Sequence, residues 1–97
     1  MFTKLKQIRD MRSQAKKIQG ALAGEHISTD AAGGRVRIEM SGNLEVTSVI
    51  IDPTLLVASE KSRLEGAVKD AVNSAMKKTQ NIMAKKVKEM GGIPGMS

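Results

Sequence analysis

Between Gly33 and Pro53 the chain permits little other than a β-hairpin. Val36, Ile38 and Met40 alternate with Arg35, Arg37 and Glu39. That period of two puts apolar groups on one face of a sheet and charges on the other. Gly33-Gly34 breaks the chain before this run and Gly42-Asn43 follows it. With glycine first, the second pair suits a two-residue type II′ turn. A three-residue loop starting at Ser41 also fits, and sets Ile38 beside Val46. The next strand is predicted over Leu44 to Ile51. It ends in Val49-Ile50-Ile51, apolar on both faces, and Asp52-Pro53 stops it because proline has no N–H for the ladder. A weaker strand around His26 to Ala31 precedes the glycine pair, and Thr54 to Ala58 reads as a short helical turn.

Helices flank this sheet. Ile8, Met11, Ala15, Ile18 and Leu22 recur at spacings of three and four, which predicts a helix over residues 3–23 with Leu5 widening its stripe. Gly24 suits its end. A second, longer helix is predicted from a cap at Ser59 or Ser62, where Ser62-x-x-Glu65 has the capping-box spacing, to about Met90. Leu64, Val68, Ala71, Val72, Ala75, Ile82 and Met83 form its stripe, and Gly91-Gly92 stops it. Lys86 falls inside that apolar stripe, so either the stripe is no longer buried there or the stem snorkels. The prediction is an α+β fold, α-β-β-β-α, with one domain over residues 1–90 and a flexible tail over 91–97.

Composition narrows what holds such a domain together. Phe2 is the one aromatic residue and there is no cysteine, so the core is aliphatic, with methionine as filler, and has no disulfide or zinc–thiolate staple. A small domain of this kind gains stability by oligomerising. Val46, Val49, Ile50 and Ile51 are the candidate dimer interface, because two helices of one chain hardly cover both faces of that strand.

Charge is segregated along the chain, which has a formal net charge of +6. Residues 1–24 carry Lys4, Lys6, Arg9, Arg12, Lys16 and Lys17 against Asp10 alone. Residues 77–90 carry Lys77, Lys78, Lys85, Lys86 and Lys88 against Glu89 alone, while residues 25–59 are acidic on balance. A merely soluble surface intersperses both signs, whereas basic stripes on helices are the footprint of phosphate binding. Those eleven residues are the candidate DNA contacts. Single-strand binding modules stack bases on aromatic side chains, and this chain has no such platform, so the backbone of duplex DNA is the expected partner.

Catalysis is not expected. His26 is the only histidine, which leaves the serines without a triad and the scattered carboxylates without a metal partner. Gly33-Gly34 lies between strands, unlike a phosphate loop. No cofactor, metal or small-molecule substrate is predicted. No run approaches the roughly 18 apolar residues of a membrane span, and MFTKLKQIRD lacks the apolar run of a signal peptide, so a cytosolic protein is expected.

The segment AGGRVRIEMSGNLEVTSVIIDPTLL (31–55) resembles the hairpin pattern of the YbaB/EbfC family of bacterial nucleoid-associated proteins. LEGAVKDAVNSAMKKTQ (64–80) resembles that family's last helix, with Ala71, Val72, Asn73 and Ala75 matching its core. GGIPGM (91–96) resembles its Gly/Pro-rich tail, and the opening Met-Phe before a Gln- and Lys-rich helix also fits. The first helix departs from the pattern in being shorter, richer in Arg and Lys, and in carrying Gly20. The resemblance implies a tweezer-shaped α-β-β-β-α homodimer in the cytoplasm and nucleoid that binds DNA, compacts or bends it and influences gene expression. It implies no active site. The rival reading is a dimeric helical adaptor whose first-helix seam binds another protein without touching DNA. Membrane binding is a weaker rival, since only Phe2 supplies the aromatic anchor such helices favour.

Overall fold

The computed structural model describes residues 2–89, with side-chain environments from Lys4 onward. The element order is α1 (Phe2–Ala23), β1 (His26–Ala31), β2 (Val36–Ser41), β3 (Val46–Ile51), 3-10 turns at Pro53–Leu55 and Ala58–Glu60, and α2 (Lys61–Glu89). The expected tail and the glycine stop at 91–92 lie outside the described residues.

The sheet is antiparallel with β2 central, in the order β1-β2-β3. Its period-two pattern is realised as read: Val36, Ile38 and Met40 are buried while Arg37 points to the open face. α2 crosses the buried face over β1 and β2. Its line of closest approach is Ala67, Ala71, Ala75 and Thr79, all buried and four residues apart. The expected stripe of larger residues flanks this line instead: Leu64, Val68, Val72 and Ile82 pack against the core from its sides. Small side chains let helix and sheet backbones approach, and one hydrogen bond fixes the contact. The Thr29 hydroxyl donates to the Ala71 carbonyl at 2.7 Å across the buried interface.

Three local expectations are corrected. The β2–β3 loop is Gly42-Asn43-Leu44, closed by Leu44 N–H to the Ser41 carbonyl (3.1 Å) and Ser41 N–H to the Glu45 carbonyl (2.8 Å). It is neither a two-residue turn nor a loop starting at Ser41, and Leu44 takes the left-handed position at φ 63°. A bulge then skips Thr47 between the pairs Met40↔Val46 and Glu39↔Ser48, so Ile38 faces Val49 rather than Val46. Such a bulge shifts register by one residue and cannot be counted from the sequence. The strand accordingly starts at Val46, not Leu44. Lastly, neither Ser59 nor Ser62 caps α2. The Ala58–Glu60 turn runs directly into it, with Val57 at the cap and no side-chain bond.

After β3, Asp52 organises the chain reversal. Its Oδ1 accepts from the Thr54 N–H at 2.8 Å and the Thr54 hydroxyl at 2.7 Å, and the turn it caps drives Leu55 into the core.

Candidate nucleic-acid interface

α1 enters the fold at its C-terminal end. Ile18 and Leu22 are buried, and each contributes about 1.5–3 kcal/mol. The last carbonyls of a helix have no intrahelical partner, and here a neighbouring turn serves them. Gly42 N–H donates to the Leu22 carbonyl at 3.0 Å, and the Asn43 side-chain amide donates to the Gln19 carbonyl at 3.2 Å. Met11, Ala15, Ile18 and Leu22 face Met83 and Val87 of α2 across a cleft of about 750 Å³. Further out the stripe has no cover: Ile8 is 49 % and Leu5 63 % exposed.

Sequence reasoning places six cations on α1, and Lys4, Lys6, Arg9, Arg12, Lys16 and Lys17 are all exposed. Among the described residues none of them makes an ion pair. By helical spacing Lys6, Arg9, Arg12, Lys16 and Lys17 lie away from the stripe that meets α2, and Lys4 continues the stripe outward. On α2, Lys77, Lys78, Lys85 and Lys88 are exposed as well. By helical spacing all four point away from Met83 and Val87, the α2 residues that face α1, with Lys78 and Lys85 (seven apart) along one line and Lys77 and Lys88 (eleven apart) along another. The two helices therefore present separate basic surfaces, facing outward from their mutual contact.

Lys86 stands apart. Its side chain is one-third exposed, and its Nζ lies 3.2 Å from Glu25 Oε1 and 4.0 Å from Glu89 Oε2. Of the two sequence alternatives the stem does snorkel, and its charge is held by carboxylates.

The candidate dimer residues divide. Val46, Val49 and Ile50 are about half exposed on β3, a sheet edge. Val46 and Val49 lie opposite Met40 and Ile38 and so share the buried face of the sheet, beyond the reach of α2, while Ile50 lies opposite Arg37 on the open face. Ile51 instead packs against the core. Sequence reasoning missed Leu56 and Val57, which are 63 % and 53 % exposed just past β3. The run Leu55-Leu56-Val57 gave a signal, because a turn of that length buries only one of the three.

Among the described residues, no group of histidine, cysteine, aspartate and glutamate is placed to hold a metal ion. No described helix is long and apolar enough to cross a membrane.

The fold recurs in the crystal structure of an uncharacterized protein from Helicobacter pylori, at a TM-score of 0.72 and 18% identity, covering 86% of this chain and 96% of that one. In sequence, the chain is 33% identical over 95 residues to a nucleoid-associated protein of Bartonella tribocorum, covering 97% of this chain and 89% of that protein. It is 35% identical over 91 residues to one of Bordetella avium, covering 93% and 83%. The family model of the YbaB/EbfC DNA-binding family matches residues 1–93. Arrived at from the hairpin, the helix pair and their exposed cations, and matched along nearly its whole length, the chain belongs to the YbaB/EbfC DNA-binding family.

Proposed function

We propose that this protein binds duplex DNA as a homodimer through the basic surfaces of α1 and α2 and alters the conformation of the DNA, with roles in nucleoid organisation and the regulation of gene expression. The observation that carries the reading is the state of its cations. Ten of the eleven candidate residues are exposed and without an ion pair among the described residues. A solvated surface neutralises much of its charge locally; ten uncompensated cations on two helices favour a polyanion. The relatives' name, nucleoid-associated protein, places those proteins at the nucleoid and supports the same location here.

Dimerisation is supported by β3. Its half-exposed Val46, Val49 and Ile50 sit on an edge with unpaired backbone groups, and long apolar edges are ordinarily covered. A second copy, apposed through the same strand, covers both at once in a two-fold contact. The outer half of α1 supports it too, since an isolated helical stretch this short is marginal in water.

The exposed Leu5, Ile8 and Met11 stripe favours the adaptor reading as the second possibility. One experiment separates them: a gel shift on duplex DNA across a salt series, run beside flotation with anionic vesicles. Retarded duplex at low salt, lost steeply as salt rises, is the expected result. A chain that leaves duplex unshifted at low salt is not a DNA-binding protein of this mode.

A further inference from the structure

The Lys86–Glu25 ion pair joins two elements that the rest of the fold connects loosely. The Gly42 and Asn43 bonds hold the C-terminal end of α1 to the β2–β3 turn, and neither touches α2. Between α1 and the distal part of α2 lies the open cleft lined by Met11, Ile18, Met83 and Val87. Glu25 follows the exit of α1, with its own N–H donating to the Leu22 carbonyl at 3.0 Å, and lines a separate hollow with Ile82, Lys85, Lys86 and Glu89. Lys86 reaches that residue from α2, one turn beyond Ile82, which packs against the core. A cation beside the C-terminal end of α1 also suits the negative end of the helix dipole.

Lys86 is the one of the eleven candidate cations with a carboxylate partner among the described residues. A phosphate approaching its ammonium group meets Glu25 at 3.2 Å and Glu89 at 4.0 Å from the same nitrogen. Lys85 and Lys88, beside it in sequence, are exposed with no such guard.

We infer that Lys86 is a positioning residue rather than a phosphate contact: through Glu25 it fixes the distal end of α2 against the exit of α1 and so sets the separation of the two basic surfaces. The inference rests on the DNA-binding reading above. Both surfaces engage one duplex only when their spacing matches it, and a pre-set spacing spares the ordering that binding otherwise costs.

The test is duplex DNA affinity of the full chain over a salt series, at a temperature where circular dichroism shows every variant folded. Lys85→Gln reports a phosphate contact and flattens the salt slope by about 0.9 for each phosphate it no longer neutralises. Lys86→Gln and Glu25→Gln each weaken binding by up to roughly fivefold, the ceiling for a solvent-accessible ion pair, with the slope unchanged. Glu25→Gln is decisive, because removing an acid from a DNA-binding surface strengthens binding by charge alone and weakens it only by loss of positioning. The charge swap E25K/K86E restores parental affinity. The inference is overturned by a slope that falls in Lys86→Gln as in Lys85→Gln, by unchanged or tighter binding in Glu25→Gln, or by a folded swap variant that stays weak. A parent chain that fails to bind duplex at low salt overturns the DNA-binding reading itself, and this inference with it.

Discussion

The amide of Gly42 donates to the carbonyl of Leu22 at 3.0 Å, so the turn of the hairpin serves as the C-terminal cap of α1. The last turn of α1 holds no basic residue to do this. The approach leaves no room for a side chain. A Cβ on Gly42 overlaps the Leu22 carbonyl oxygen and lies 3.0 Å from its carbonyl carbon and Cα, all of them backbone atoms that cannot swing away. Gly42→Ala is expected to destabilise the protein by about 1–3 kcal/mol, the range for overpacking a fitted contact. Urea unfolding measures it. A change under about 0.5 kcal/mol, the size of an ordinary surface effect, shows that the cap does not anchor α1.

Gly20, two residues earlier than Leu22 in the same helix, gives the opposite expectation. It is exposed, with open space where an added methyl group would sit, so it costs α1 backbone freedom without serving a contact. Gly20→Ala stabilises by about 0.5–1 kcal/mol. Thermal unfolding reads the sign directly, and a lowered midpoint refutes it.

Asp52 makes acid stability testable. The Thr54 backbone N–H, then its hydroxyl, and the nearby Arg35 charge hold the Asp52 carboxyl below its ordinary value, partly opposed by burial. A carboxyl lowered in the folded state favours folding above the unfolded value near pH 4, and that contribution is lost as pH falls through the lower folded value. Asp52→Asn therefore loses stability at neutral pH and declines less than the parent as the pH falls below about 4. Melting curves that run parallel against pH for the two proteins refute this.

These residues also mark what the sequence makes legible. The hairpin is readable because Val36, Ile38 and Met40 alternate strictly with charged residues, a pattern that local geometry enforces. The core line of α2 is not, because Ala67, Ala71, Ala75 and Thr79 bury little area each; their importance comes from how closely they let two backbones approach. The register beyond Ser41 depends on a bulge at Thr47, and bulges leave no composition mark. For the candidate site, the exposure of the α1 cations follows from helical spacing. The partner of Lys86 does not, because Glu25 is distant in sequence and only the packing of α2 across the sheet brings them together.

Self-association through β3 has a direct test. Val49 is 52 % exposed in the single chain, so replacing it disturbs little within one protomer. In a two-fold contact the same change enters twice, and two buried unpaired charges are costly. The parent is expected to sediment as a dimer at micromolar concentration and Val49→Lys as a folded monomer. A monomeric parent refutes the homodimer, and a dimeric Val49→Lys moves the interface away from β3.

The distribution of the DNA contacts is the last expectation. If binding is electrostatic and shared between the outward faces of α1 and α2, replacing Lys6, Arg9 and Lys16 by Gln weakens it and flattens the slope of log K against log salt by about 0.9 for each phosphate released. Replacing Lys77, Lys85 and Lys88 does the same from the other surface. All six side chains are exposed, so stability changes by no more than about 0.5 kcal/mol and weaker affinity does not reflect unfolding. α1 is expected to give the larger effect, since its six cations are opposed by Asp10 alone. A slope that changes in one triple variant only confines DNA to one helix. Parental affinity and slope in both would leave the exposed cations without a role in DNA binding, and direct attention to the apolar stripe of Leu5, Ile8 and Met11 as a protein-docking seam.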